Sequence, residues 1–250
     1  MPSAPGLPVI LQLSQNAISY HGGCRPIAAA TVELARASSA DVALHLDHIT
    51  DLSLLRLTPD LGYSSVMYDG SRHAIEKNRE LTREAAAWGK GAGIWVEAEL
   101  GEVGGKDGAH APGVRTDPGE AVQFVVDTSV DALAVAVGSS HAMVEKSAAL
   151  DLGLVRRLHA VVPVPLVLHG SSGVPDDVLA EAARSGMVKI NIGTALNVAY
   201  TAAIRMWISR NPHGSTPPRR ASRSPLWSST TCASSPDVQA IHPPPPPEGC

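Results

Sequence analysis

Val42-Ala43-Leu44-His45-Leu46-Asp47-His48 is an apolar run that closes on two histidines and an aspartate. A buried strand seldom ends this way, because each of these polar groups needs a partner once water is removed. Similar runs recur along the chain at Pro8–Ser14, Ser65–Asp69, Ile94–Gly101, Ala132–Gly138, Leu166–Ser172 and Lys189–Thr194. Short, nearly continuous apolar runs are the signature of strands buried on both faces of a parallel sheet. Between them, 73–88, 120–128 and 178–185 carry charged residues on a helical period, and Thr116-Asp117-Pro118 reads as a helix start. Alternating strands and helices predict a parallel α/β fold. An open doubly wound sheet could hold seven such strands, whereas a closed barrel needs eight. The polar residues decide between them: His48, Asp69, Glu99, His141, His169 and Asn191 fall at or just past the later part of six different strands. Sites built from many strand ends belong to barrels, while open sheets gather theirs at one switch point. The expected fold is a (β/α)8 TIM barrel missing its first strand.

The 250 residues suit one large domain, and a 44% hydrophobic fraction supports a sizeable core. With one Phe, that core must rest on Val, Leu, Ile and Ala. A formal charge of −4 offers no basic face to nucleic acid. No apolar stretch is long enough to span a membrane, and the opening run lacks a basic leader, so neither membrane insertion nor a signal peptide is expected. Cys24, Cys232 and Cys250 form no disulfide or metal-knuckle pattern, which predicts a cytoplasmic protein. The expected domains are a barrel over 1–205 and a disordered tail over 206–250, where helical periodicity gives way to Ser/Thr-rich and then Pro-rich sequence.

Three themes carry chemistry. The first is histidine: Asp47-His48, Val137-Gly138-Ser139-Ser140-His141 and Leu168-His169-Gly170 each set an imidazole at a strand end. Any one of these could be a hydrogen-bonded core residue. Three around one point, with a fourth position open, form a catalytic zinc site. His45 shares a face with Asp47 and could simply orient it. The second theme is anion binding. Gly170-Ser171-Ser172-Gly173 and Asn191-Ile192-Gly193-Thr194 end neighbouring runs ahead of helices, where backbone N–H groups can meet a phosphate. The third is a pair of acids, Glu97 and Glu99, alternating on one face of their strand. Either they meet a metal or a cation inside, or they form the acidic outer face of a surface strand. Gly104 to Gly113 then reads as a lid-like loop.

Taken together, Gln12–Asn16, His45–Asp51, Tyr68–Ser71, Glu97–Gly105, Val137–His141, Leu168–Gly173 and Lys189–Thr194 resemble the class II, zinc-dependent fructose-bisphosphate and tagatose-bisphosphate aldolases, in the family's order over roughly residues 7–205. The shorter, tagatose-type branch is the nearer. The resemblance implies Zn2+ on His48, His141 and His169, with Asp69 and Glu99 holding the metal in an alternative position. It implies Asp47 as the base at the substrate's C4 hydroxyl. Ser14, Gly138, Gly170, Ser172, Asn191, Gly193 and Thr194 fall where the family contacts substrate and the phosphate of dihydroxyacetone phosphate. Carbonyls of Gly138 and Gly170 would serve a Na+ or K+ ion. Glu102 and Asp107 compete for the role of the loop acid. The implied reaction is reversible cleavage of a ketose 1,6-bisphosphate to dihydroxyacetone phosphate and glyceraldehyde 3-phosphate, in a homo-oligomer acting on small molecules.

Measured against that family, the chain is expected to lack the first strand and helix, ahead of Pro8, and the final helical segment, with an aberrant tail from Met206 onward. Two alternatives stand beside the zinc enzyme. One is an inactive aldolase-like fragment. The other is a Schiff-base aldolase using Lys189, which would start its strand and so lie at the far end of the barrel. A phosphate-binding barrel of unrelated chemistry fits poorly with Asp47-His48.

Overall fold

The computed structural model describes residues 8–100, 115–139, 146 and 148–212. His141, Glu102, Asp107 and the expected tail from 213 onward lie outside the described residues. The chain opens with β1 (Val9–Ser14), α1 (Gln15–Tyr20), α2 (Cys24–Arg36), β2 (Val42–Ile49), α3 (Leu52–Leu55) and β3 (Ser65–Tyr68). It continues through α4 (Ile75–Ala92), β4 (Trp95–Glu99), α5 (Pro118–Thr128), β5 (Ala132–Ala134) and α6 (Leu152–Val161). It closes with β6 (Leu166–Leu168), α7 (Asp176–Arg184), β7 (Met187–Ile190) and α8 (Thr194–Arg210). All seven expected strands form, and α8 runs five residues beyond Arg205.

The strands make one sheet in the order β1-β2-β3-β4-β5-β6-β7, with every neighbouring pair parallel. This is the α/β barrel arrangement with a gap. Among the described residues no pairing joins β7 to β1, so both are edges. Several helices start on caps visible in the sequence. Asp117 accepts from Gly119 and Glu120 N–H ahead of Pro118, and Asp151 accepts from Leu154 N–H.

Alternation along the strands sorts the two faces. Leu44, Leu46, Val66, Tyr68, Val96, Ala98, Leu133, Val135, Leu166 and Leu168 join the hydrophobic core with Leu55, Ala85, Phe124, Val155, Leu158 and Ala182 of the helices. The alternate positions, His45, Asp47, Glu97 and Lys189 among them, face the inside. The core therefore lies between sheet and helices, and the interior is left for polar groups.

Strand β2 breaks the alternation at a functional position. Period two puts His45 and Asp47 on the inner face and would turn His48 outward. Instead the register with β3 shifts between Leu46 and Ile49, and His48 takes φ 50°, a left-handed conformation that residues other than glycine rarely adopt. That bulge keeps His48 beside Asp47 and returns Ile49, fully buried, to the core. The conformation costs a side-chain-bearing residue about 1–2 kcal/mol. We predict that, in metal-free protein, His48→Gly is more stable than His48→Ala by about 1 kcal/mol, the reverse of the usual penalty for glycine in a strand. Chemical denaturation of the two variants checks this.

Candidate metal centre

Two histidines meet across the interior. His48, at the bulge of β2, and His169, just past β6, set Nε2 and Nδ1 3.0 Å apart, with the rings nearly perpendicular. Two nitrogens held ~2.05 Å from one tetrahedral ion lie roughly 3.3 Å apart, so this convergence suits a shared cation. Carboxylates surround it. Asp47, His48 and His169 bring one ligand atom each within 4.8 Å of one another, and so do His48, Asp69 and Glu99. The two groups share His48. Asp69 Oδ2 lies 2.8 Å from His48 Nδ1, Asp47 Oδ2 3.9 Å from His48 Nε2, and Glu99 Oε2 3.9 Å from His169 Nδ1. Two imidazoles and three carboxylates form a mixed N/O donor set that fits a divalent cation such as zinc.

The electrostatics follow from crowding. Burial raises the Asp47 carboxyl, but His48, His169, Lys189 and His45 overcome that and hold it below its ordinary value. Glu97 behaves alike: burial pushes it up, and the Lys189 ammonium with the His169 hydrogen bond brings it below the usual carboxylate range. Among the described residues, Asp47 Oδ1 is buried with no hydrogen-bond partner, as are Gln12 Oε1, His45 Nε2 and Asn191 Oδ1. Unsatisfied polar atoms gathered on β1, β2 and the end of β7 mark a place built for a polar ligand.

The expected phosphate residues also come together. Ser172 Oγ accepts from the backbone N–H of Ala195, the second residue of α8, which ties the turn after β6 to the helix after β7. Ser171 Oγ donates to the Asn191 carbonyl. Gly170 (φ 66°), Gly193 and Thr194 thus lie around the α8 N-terminus. Gly138 stands after β5 with φ 117°, and any Cβ there would meet the Ala149 carbonyl at 2.4 Å, so only glycine fits. Its neighbour Ser139 donates to the His169 carbonyl at 2.6 Å. Ser14 accepts from Ala17 N–H as the cap of α1.

Two residues, Lys189 and His45, sit differently from the sequence reading. Lys189 does not start its strand: it is the third of four residues in β7, and its Nζ reaches Glu97 Oε2 at 2.7 Å. The signal for this was present, since Lys189 and Asn191 alternate as Glu97 and Glu99 do. Glu97 meets a cation inside, one of the two readings its pairing with Glu99 allowed, and lies 2.9 Å from His169 Nε2 through its other oxygen. His45 does not hydrogen-bond Asp47: its Nε2 stays 3.9 Å from Asp47 Oδ1, and its Nδ1 meets Ser65 Oγ at 2.9 Å.

Burial and then the Lys189 charge push the His45 imidazole from 6.5 down to about 3. Above 6.5 the ring is neutral folded and unfolded, and its contribution is fully present. Below that value the unfolded chain takes up a proton that the folded chain refuses, so stability is lost as pH falls. Between 6.5 and 4.5, above the ordinary titration range of Glu97, His45 adds up to about 1.4 kcal/mol of slope per pH unit. Urea unfolding across that window should be visibly flatter for His45→Gln.

Comparison with known proteins agrees with this geometry. Residues 3–230 match the family described as Fructose-bisphosphate aldolase class-II. The 6-phospho-5-dehydro-2-deoxy-D-gluconate aldolase of Bacillus velezensis is 38% identical over 207 residues, covering 82% of this chain and 71% of that protein. The enzyme of the same name from Bacillus subtilis gives the same identity and coverage. The crystal structure of the YdjI aldolase from Escherichia coli K12 is similar with a TM-score of 0.67 and 32% identity, over 80% of this chain and 70% of that one. A fructose-bisphosphate aldolase structure from Campylobacter jejuni, 22% identical with a TM-score of 0.67 over 82% of this chain and 70% of that one, shares the fold. With its open α/β barrel and paired inward histidines, the chain belongs to the class II fructose-bisphosphate aldolase family.

Proposed function

We propose that the chain catalyses metal-dependent retro-aldol cleavage of a phosphorylated ketose or keto-sugar acid, releasing dihydroxyacetone phosphate. The observation that carries this reading is the convergence of His48 and His169 at 3.0 Å among Asp47, Asp69 and Glu99. His48 and His169, joined by His141 on the family resemblance, would hold a zinc ion, with Asp69 and Glu99 as ligands for a second position. A divalent cation there supplies Lewis-acid polarisation of the substrate ketone.

The remaining work falls to the chain's own groups. Asp47 stays ionised and keeps Oδ1 without a partner among the described residues, so it serves as the base that accepts the proton of the β-hydroxyl while the carbon–carbon bond breaks. The bond's electron pair passes to the carbon beside the ketone, which takes a proton from the loop acid, Glu102 or Asp107, to give dihydroxyacetone phosphate. Gly170, Ser172, Asn191, Gly193 and Thr194 seat the phosphate at the α8 N-terminus, where backbone N–H groups and the helix dipole favour an anion. Ser14 contacts substrate from the end of β1. Gly138 and Gly170 offer carbonyls to a Na+ or K+ ion beside the phosphate.

Two substrate classes meet this description. A ketose 1,6-bisphosphate splits to dihydroxyacetone phosphate and glyceraldehyde 3-phosphate. The compound in the Bacillus relatives' names splits between C3 and C4 to dihydroxyacetone phosphate and 3-oxopropanoate. Both carry a ketone beside a phosphorylated CH2 and a hydroxyl on the carbon that becomes the aldehyde, so one site can serve either. The Schiff-base alternative is less well supported. Lys189 donates to Glu97 in a 2.7 Å ion pair, and a protonated amine is no nucleophile.

The test is release of dihydroxyacetone phosphate from fructose 1,6-bisphosphate, tagatose 1,6-bisphosphate and 6-phospho-5-dehydro-2-deoxy-D-gluconate. Cleavage of at least one should stop on chelation and return with zinc. Asp47→Asn should lower kcat by about 10²–10⁴-fold. Chelator-resistant cleavage with borohydride trapping of Lys189 would favour the Schiff-base enzyme. A folded, zinc-loaded chain that cleaves none of the three would be an inactive relative.

A further inference from the structure

His169 is held from behind as well as from the front. Its Nδ1 faces His48 Nε2 at 3.0 Å, on the side of the metal centre. Its Nε2 lies 2.9 Å from Glu97 Oε1, and the second oxygen, Glu97 Oε2, accepts from Lys189 Nζ at 2.7 Å. The three groups come from the end of β6, from β4 and from β7, and His169 is fully buried. Water cannot substitute for a lost partner in such a place, so the chain of contacts dictates the ring's orientation.

From this geometry we infer that Glu97, anchored by Lys189, is a positioning residue that fixes His169 as the Nε2–H tautomer and so presents Nδ1 to the metal. The inference rests on the metal-centre reading and extends it to residues outside the ligand set. A carboxylate paired with an ammonium only accepts, so the imidazole nitrogen facing it must carry the proton. In a neutral ring the lone pair then lies on Nδ1, pointing at His48. The Asn191 amide also reaches His169 Nε2, with Nδ2 at 3.1 Å and Oδ1 lacking a partner. Turned by 180°, that amide sets a second acceptor against the same proton. His48 is arranged in the mirror sense: Asp69 Oδ2 sits 2.8 Å from its Nδ1, which leaves Nε2 for the centre. Each ring thus has a carboxylate behind one nitrogen and turns the other inward, the outer support that orients histidine ligands of metals. The Glu97 support differs in being anchored by a lysine at 2.7 Å, which keeps the carboxylate from swinging toward the centre as a competing ligand.

The experiment uses the full chain, stripped of metal, labelled with 15N histidine and held at one alkaline pH. Long-range 1H–15N spectra report the tautomer of each ring, and His169→Gln assigns the His169 signals. Zinc affinity is measured separately by competition with a chromophoric chelator. The wild-type chain should show His169 as Nε2–H. Glu97→Gln should lose that preference and bind zinc about 10–100-fold more weakly. Lys189→Met should shift both in the same direction, and Lys189→Arg should restore them. Because Glu97→Gln leaves the lysine unpaired and could impair folding, the double variant Glu97→Gln/Lys189→Met, with no lone charge, is measured alongside. A folded single or double variant that keeps the Nε2–H tautomer and zinc affinity within about twofold of wild type overturns the inference. The tautomer readout needs neither bound metal nor turnover. A wild-type chain with the expected tautomer and no aldol cleavage therefore counts against the proposed function, not against the clamp.

Discussion

The approach of His48 and His169 to 3.0 Å governs the interior of this protein, because it can be sustained only by what surrounds it. Two imidazoles, His169 buried and His48 partly so, with ring nitrogens this close are poorly placed unless one donates to the other or a positive charge shares the point between them. Asp47, Asp69, Glu97 and Glu99, all at or below 8% exposure, add acidic groups to the same layer. Lys189 answers one of them, Glu97. The others gather around the histidines, and the site is arranged for a cation. A barrel interior of this kind contrasts with the usual filling of branched aliphatic side chains and explains why the apolar packing moves to the helix side of the sheet.

The gap between β7 and β1 leaves this centre standing. The residues that build it come from β2, β4, β7 and the ends of β3 and β6, five of the six strands that pair without a break from β2 to β7. What the gap does alter is the pair of edges beside it. Val9 and Ile10 of β1 are exposed, and α8 buries none of its residues. An edge strand with free backbone groups invites pairing with another chain, so among the described residues the cost of the gap falls on the surface and not on the candidate metal centre.

Much of the outline was legible in the residues. Seven apolar runs became seven strands, and the Asp117-Pro118 start and the helical periods of 73–88 and 178–185 found their helices. His48 and His169 could be read as site residues because a strand closing on an uncompensated imidazole is costly, and that cost is local. The alternation of Glu97 and Glu99 likewise showed that both share a face, though not which face or which partners.

What the residues alone did not show depends on pairing between distant segments. Glu97 meets His169 across 72 residues of sequence and Lys189 across 92, and the β6–β7 register shifts between Leu166 and Val167. Lys189 therefore lies near the active end of β7, where the run of apolar letters had suggested its beginning. His48 turns inward only because the β2–β3 register slips beside it and its backbone takes φ 50°. Period-two reading assigns that side chain to the opposite face. Strand content and the kinds of groups at strand ends are decided by neighbouring residues, through alternation and the cost of burial. Which of those groups face one another is decided by register, and register is settled only when the whole sheet has packed.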